Sequence, residues 1–240
     1  MAIVAAVVFV QVQSSPLVRV RRAVDKRDFR ALKEFLGHSD ANVRFFAANG
    51  LGEVHTQEAK EFLVRSLYNE RDEYVRVTIA SSILKSKQAD EVEKQSAIKT
   101  IQRHLDSSMP AVRRHAIDCL CSNRALGEWS IEDEVRNVVL RMSTDDEYDL
   151  VRASAFKCSV RFLEVKDQAS LIRKAIADPS EVVRYAAWNI VWHKSIDPDY
   201  VLEADVAEPA EEIADTNSDS SRINELVKSI LSNLHRPTSH

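Results

Sequence analysis

Apolar residues recur along this chain three and four positions apart, and the stripes they make recur in turn. Five segments share one core: Val43-Arg44 in SDANVRFFAANGL, Val75-Arg76 in RDEYVRVTIASSIL, Val112-Arg113 in MPAVRRHAIDCL, Val151-Arg152 in YDLVRASAFKCS and Val183-Arg184 in PSEVVRYAAWNIV. They lie 32, 37, 39 and 32 residues apart. Four positions beyond each Val stands a small or apolar residue: Ala47, Ile79, Ala116, Ala155 and Ala187. Another apolar residue follows near eight positions beyond in four copies, at Leu51, Ile83, Leu120 and Val191, while the fourth copy carries Ser159. That spacing is one face of an α-helix. A weaker copy surrounds Val18-Arg19.

Between these helices the pattern predicts partners of the same period, on Phe29, Leu32 and Leu36; Phe62, Leu63 and Leu67; Ile98, Ile101 and Leu105; Val135, Val139 and Met142; and Leu171, Ile172 and Ile176. Each pair reads as a hairpin that cannot bury its apolar face alone, so stacked hairpins form the cooperative unit. Asp178-Pro179-Ser180-Glu181 reads as a helix start with Asp178 as cap and Pro179 as first helical residue. Ser130 with Asp133, and Asp197-Pro198, are lesser forms.

The acid, Val-Arg, Ala signature resembles the HEAT repeat family, especially the short HEAT-like repeats of the phycobilisome-lyase type. The resemblance covers about residues 15–195. It implies an all-α fold, an α-solenoid of about five HEAT-like helical hairpins. The expected organisation is an apolar N-terminal segment at 1–14, the solenoid at 15–202, an acidic linker at 203–220 and a C-terminal amphipathic helix at 221–235. That helix carries Ile223, Val227, Ile230 and Leu234 on one side and either covers the end of the stack or docks on another chain.

Composition narrows the function classes. Four glycines in 240 residues argue against a turn-dense β fold, and no GxxxxGK[ST], GxGxxG or GxSxG motif occurs to cradle a phosphate or present a nucleophile. The net charge is −4, but residues 203–219 hold seven acids and no Lys or Arg, which leaves +3 on the remainder. A body so near neutrality disfavours a nucleic-acid partner. Three cysteines, Cys119, Cys121 and Cys158, read as small apolar residues in a reducing compartment, which places the chain in the cytoplasm. The run Ala2–Val10 is read as a buried helix or disordered start, with an export signal or weak anchor as the alternative. It lacks a preceding positive charge and is shorter than the roughly 20 residues of a spanning helix. A membrane partner is disfavoured unless that run is an anchor.

The five arginines Arg44, Arg76, Arg113, Arg152 and Arg184 would align along a stack. The expectation is a structural ladder, paired to the turn acids Asp40, Asp72, Asp146, Asp149 and Asp178, rather than a phosphate-binding row. The basic stretch Arg19–Lys33 reads as a solvated face. His115 and Cys119 share a helix face but lack the further ligands of a closed zinc site, so no metal is expected. No cofactor is expected either, and the absence of any His-Glu dipeptide excludes the iron-holding HEAT hydroxylases that the resemblance brings in. Trp188 and Trp192, four apart beside Tyr185, read as core residues or a binding anchor. With Arg114 and His115 they are the candidate partner-binding residues.

The function expected is a protein-binding scaffold or adaptor that holds a partner along the concave face of the repeats, with no catalytic residue assigned. The resemblance also implies alternatives, a chromophore-lyase-like subunit and, with less support, a nucleic-acid-binding repair protein. If the stripe is the packed face, Ala187→Asp buries an unpaired charge and lowers stability by several kcal/mol in denaturant unfolding.

Overall fold

The computed structural model describes residues 15–122, 133–197, 204–216 and 219–234. Among them are thirteen α-helices and no strand. None is long and apolar enough to cross a membrane. The apolar run at 2–10 and the start signals at Ser130 and Pro198 lie outside the described residues. The chain divides into two compact units, Met1–Ser130 and Ile131–His240.

The first unit runs α1 (Pro16–Asp25), α2 (Phe29–Leu36), α3 (Ala41–Gly52), α4 (Gln57–Asn69), α5 (Glu73–Lys85), α6 (Glu91–Arg103), a 3-10 turn at His104–Asp106, and α7 (Pro110–Ser122). The Val-Arg helices α3, α5 and α7 pack in sequence, with α1 on the open side of α3, so the weak copy at Val18 takes the same place in the layer. Partner helices α2, α4 and α6 back them. Val43, Ala47, Leu51, Val75, Ile79, Ile83, Val112, Ala116 and Leu120 are all buried, as the stripe requires. Helices approach closely where residues are small. A Cβ added to Gly50 would lie 2.7 Å from Val24 Cγ2 and 2.9 Å from Leu32 Cδ2, so a side chain there would push α3 off α1 and α2.

Short polar side chains start these helices. Asp28, Asp40, Thr56 and Asp72 each accept a backbone N–H of their own first turn, and Asp90 with Glu93 closes a reciprocal box. Asp40 and Asp72 are therefore helix caps, not the ladder acids expected of them.

The second unit runs α8 (Asp133–Asp145), α9 (Asp149–Phe162), α10 (Val165–Ile176), α11 (Glu181–Ser195), α12 (Ala204–Thr216) and α13 (Ser221–Leu234). Helix α11 packs between α9 and α13, and α12 backs α13. The cap of α11 is Ser180, whose Oγ accepts the Val182 N–H at 3.2 Å, so Pro179 sits in the turn ahead of the helix rather than at its first position. The stretch expected to be an acidic linker contains a helix. Val206, Ala210 and Ile213, spaced four and three, are buried beneath its acids, and their burial offsets the hydrogen bond lost at Pro209.

Helix α13 completes the core. Ile223, Val227 and Ile230 are fully buried in one cluster with Phe156, Trp188 and Val191. Trp188 is wholly enclosed, and its indole Nε1 has no hydrogen-bond partner among the described residues. Two polar contacts fix α13 on α11: Trp192 Nε1 donates to Ser229 Oγ at 3.1 Å and Asn233 Nδ2 to Ser195 Oγ at 3.3 Å. Ending the chain at residue 203 is expected to expose this cluster, lowering the melting temperature and causing self-association. A monomeric truncated chain of unchanged stability would show that α12 and α13 do not close the core.

Candidate functional site

The side chains that follow the buried valines do two jobs. The first is the arginine ladder. Arg44 Nη1 donates to the His38 and Ser39 carbonyls at 2.9 Å each, while Nε and Nη2 grip Glu70 at 2.9 and 3.0 Å. Arg152 repeats the arrangement on the Asp146 and Glu147 carbonyls and, at 2.9 Å twice, on Asp178. Arg184 repeats it on the Asp178 and Pro179 carbonyls and, at 2.8 Å twice, on Asp219. Each guanidinium thus closes the turn before its own helix and clasps the turn before the next Val-Arg-layer helix. The three carboxylates are only 8 or 9% exposed, so these forked pairs are stronger than ordinary surface ion pairs.

Two copies differ. Arg113 Nη1 donates to the Ser107 carbonyl at 2.9 Å. Arg76 directs Nε and Nη2 to the Glu70 carbonyl, and no carboxylate among the described residues bonds it. Of the acids expected to serve the ladder, Asp178 clasps Arg152, while Glu70 and Asp219, which were not among them, fill the forks of Arg44 and Arg184. Asp149 instead accepts the Ser180 hydroxyl at 2.8 Å.

Burial pushes the Glu70 and Asp178 carboxyls up, but the Arg44 and Arg152 guanidinia and backbone N–H groups outweigh it and hold both below the usual carboxylate range. The Arg184 bond does the same for Asp219 against its burial. Carboxylates held low stabilise the fold above their unfolded pKa, and that contribution is lost as pH falls through the folded value.

The second job is done on the first unit by a row of rings across three helices. Tyr74 on α5 stacks on His115 of α7, centroids 4.1 Å apart and 11° from parallel. Phe45 on α3 meets Tyr74 at 5.6 Å and His115 at 6.1 Å, and Phe46 packs edge-on to Phe45. Thr78 Oγ1 lies 2.8 Å from His115 Nε2 and donates to the Tyr74 carbonyl, so the hydroxyl is fixed as acceptor from the ring. All four rings are half-buried. Phe45, Phe46 and Tyr74 wall an open cavity of about 360 Å³ with Asn42 and Asp72 at its edge. Arg114, next to His115, is exposed and pairs loosely with Asp118 at 3.6 Å.

Desolvation lowers the His115 pKa to about 4, and burial raises the Cys119 thiol to about 11. Although Cys119 Sγ lies 3.8 Å from the imidazole, both groups are neutral near pH 7, the opposite of an activated thiolate–imidazolium pair. Among the described residues no group of three His, Cys, Asp or Glu side chains is placed to hold a metal. Cys119 is the buried free thiol of the set. The reading of all three cysteines as plain apolar residues carries over to Cys119 and not to Cys121 and Cys158.

The five candidate partner-binding residues divide between the units. Arg114 and His115 belong to the ring row. Tyr185, Trp188 and Trp192 lie on α11, where Trp188 is core, Trp192 is bonded to α13, and the Arg222 guanidinium covers Tyr185 at 3.7 Å from its centroid. The tryptophans therefore anchor the chain's own last helix. Phe45, Phe46, Tyr74 and Thr78 were missing from the candidates. Their signal was their place beside the buried stripe, two and three beyond Val43, one before and three beyond Val75.

Stacked helical hairpins with a Val-Arg layer define an all-α helical-repeat fold. Residues 18–84 match the family model described as HEAT repeats. Escherichia coli YibA has a similar structure, with a TM-score of 0.52 at 16% identity over 92% of this chain and 86% of its own. So does a designed armadillo repeat protein solved in complex with the peptide (KR)4, with a TM-score of 0.52 at 14% identity over 86% of this chain and 99% of its own. At such identities the likeness is one of fold. Comparison with curated proteins gives no match.

His115 sets a second acid-sensitive window. Its folded pKa of about 4 lies below the roughly 6.5 of a free imidazole, so the unfolded chain takes up the proton first and stability falls as pH drops from 6.5 to 4. Urea unfolding at pH 7, 5 and 4 should show His115→Gln losing less than the wild type over that range, by up to about 3 kcal/mol. Equal losses would place the imidazole in water.

Proposed function

We propose that the chain is a binding scaffold that holds another protein, as an extended peptide or a helix, against the α3, α5 and α7 face of its first unit. The observation that carries this is the row Phe45, Tyr74 and His115. Rings from three successive helices are held rigidly by mutual contact yet remain half-exposed beside an open cavity. Rings set in a fixed platform lose little conformational freedom on binding and are the residue types that dominate interface energies. Asn42, Asp72, Arg114 and Asp118 give the row a polar edge that can set the orientation of a partner. The peptide held by the designed armadillo protein supports a segment of chain as the occupant, since it is bound on a framework of similar fold.

The test is affinity purification with the wild type and with Phe45→Ala/Tyr74→Ala, each checked for helix content and melting temperature. A partner retained by the wild type should be lost at least about tenfold by the folded variant, the effect of one good anchor. Equal retention would reject this face.

A further inference from the structure

On the side of the first unit away from the ring row, two grooves lie between neighbouring partner helices, and each is floored by a ladder arginine. The groove between α2 and α4 contains Arg44 together with Glu70, which fills the guanidinium's fork. The groove between α4 and α6 contains Arg76, and there the pattern breaks. The ladder acids Glu70 and Asp178 stand six residues before the next arginine of the series, Arg76 and Arg184. Six before Arg113 stands Ser107, whose hydroxyl is given to Glu73 at 2.5 Å. The cavity beside Arg76 is also larger, about 610 Å³ against about 400 Å³.

Two more cations line it. Lys99 and Arg103, one turn apart on α6, are exposed, and like Arg76 neither bonds a carboxylate among the described residues. The neighbouring groove uses two of its three cations internally, with Lys33 over the Phe62 ring at 5.4 Å and Arg44 on Glu70, and only Arg71 is left at its rim. Hydroxyl donors meet across the groove: Tyr68 of α4, 72% exposed, lies 3.5 Å from Ser96 Oγ of α6 in a contact loose enough to exchange. His104 lines the buried end, its Nδ1–H given to the Thr100 carbonyl at 2.6 Å. The acid in this lining, Glu91, is bonded by Gln95 and by no cation among the described residues.

We infer that the groove between α4 and α6 is a binding site for a phosphomonoester dianion, held by Lys99, Arg103 and the Nη1 group of Arg76, which the Glu70 carbonyl leaves open. A carboxylate satisfies one fork. Three cations and a hydroxyl pair in a larger cavity suit a group with three acceptor oxygens and a charge of about −1.5 to −2. The site is separate from the ring row, so it stands whether or not that face holds a partner.

The test is the melting temperature of the full chain titrated with sodium phosphate against sodium chloride at matched ionic strength. Phosphate should give a saturable rise. Lys99→Gln/Arg103→Gln, two exposed positions whose replacement leaves the core untouched, should weaken the apparent affinity about tenfold or more. Ser107→Asp, which supplies the missing ladder acid, should abolish the saturable rise. A phosphoserine peptide run beside inorganic phosphate assigns the source: tighter binding of the peptide points to a phosphorylated side chain, and equal binding to a free anion. A phosphate response no larger than that of chloride, an equal response to acetate, or an undiminished response in the Lys99/Arg103 variant would overturn the inference.

Discussion

The forked guanidinium is the contact on which the repeat architecture depends. Helical hairpins leave carbonyls exposed at the ends of their partner helices, and those groups need donors wherever the turn is packed against a neighbour. Arg44, Arg152 and Arg184 supply them and use the remaining edge to hold a carboxylate of the following turn. One side chain therefore fixes both the shape of its own hairpin and the position of the next. Removing either partner would leave the other largely desolvated, which makes these rungs far less replaceable than surface pairs.

Hydrophobic packing supplies the adhesion that the rungs align. Ala47, Ala116, Ala155 and Ala187 are each fully buried, and Gly50 admits the side chains of Val24 and Leu32 where a methyl group would not fit. Larger residues are reserved for places where one helix is met by several others, as with Phe156 and Trp188 in the second unit.

The Val-Arg register and the helices built on it were legible in sequence because both rest on local periodicity. Ladder chemistry was legible only in part. The acids nearest each arginine, Asp40 and Asp72, cap helices instead, since a short carboxylate just ahead of a helix finds its own N–H groups first, whereas Glu70 and Asp219 reach their arginines through the fold. Helix α12 was hidden because Pro209 and a run of acids outweigh three buried residues in any reading of composition. The ring row was missed for another reason. Which residues of neighbouring helices meet depends on how the helices are offset, and no single stripe records that offset.

The enclosure of Trp188 has an optical consequence. An indole buried among alkyl side chains, with its Nε1 bound to nothing among the described residues, has little surrounding polarity to relax its excited state and emits towards the blue. Trp192, half-buried on the same helix and bonded to Ser229, has a polar neighbour to lower that energy. The native fluorescence of α11 therefore carries a signature of whether α13 is seated, readable without any label.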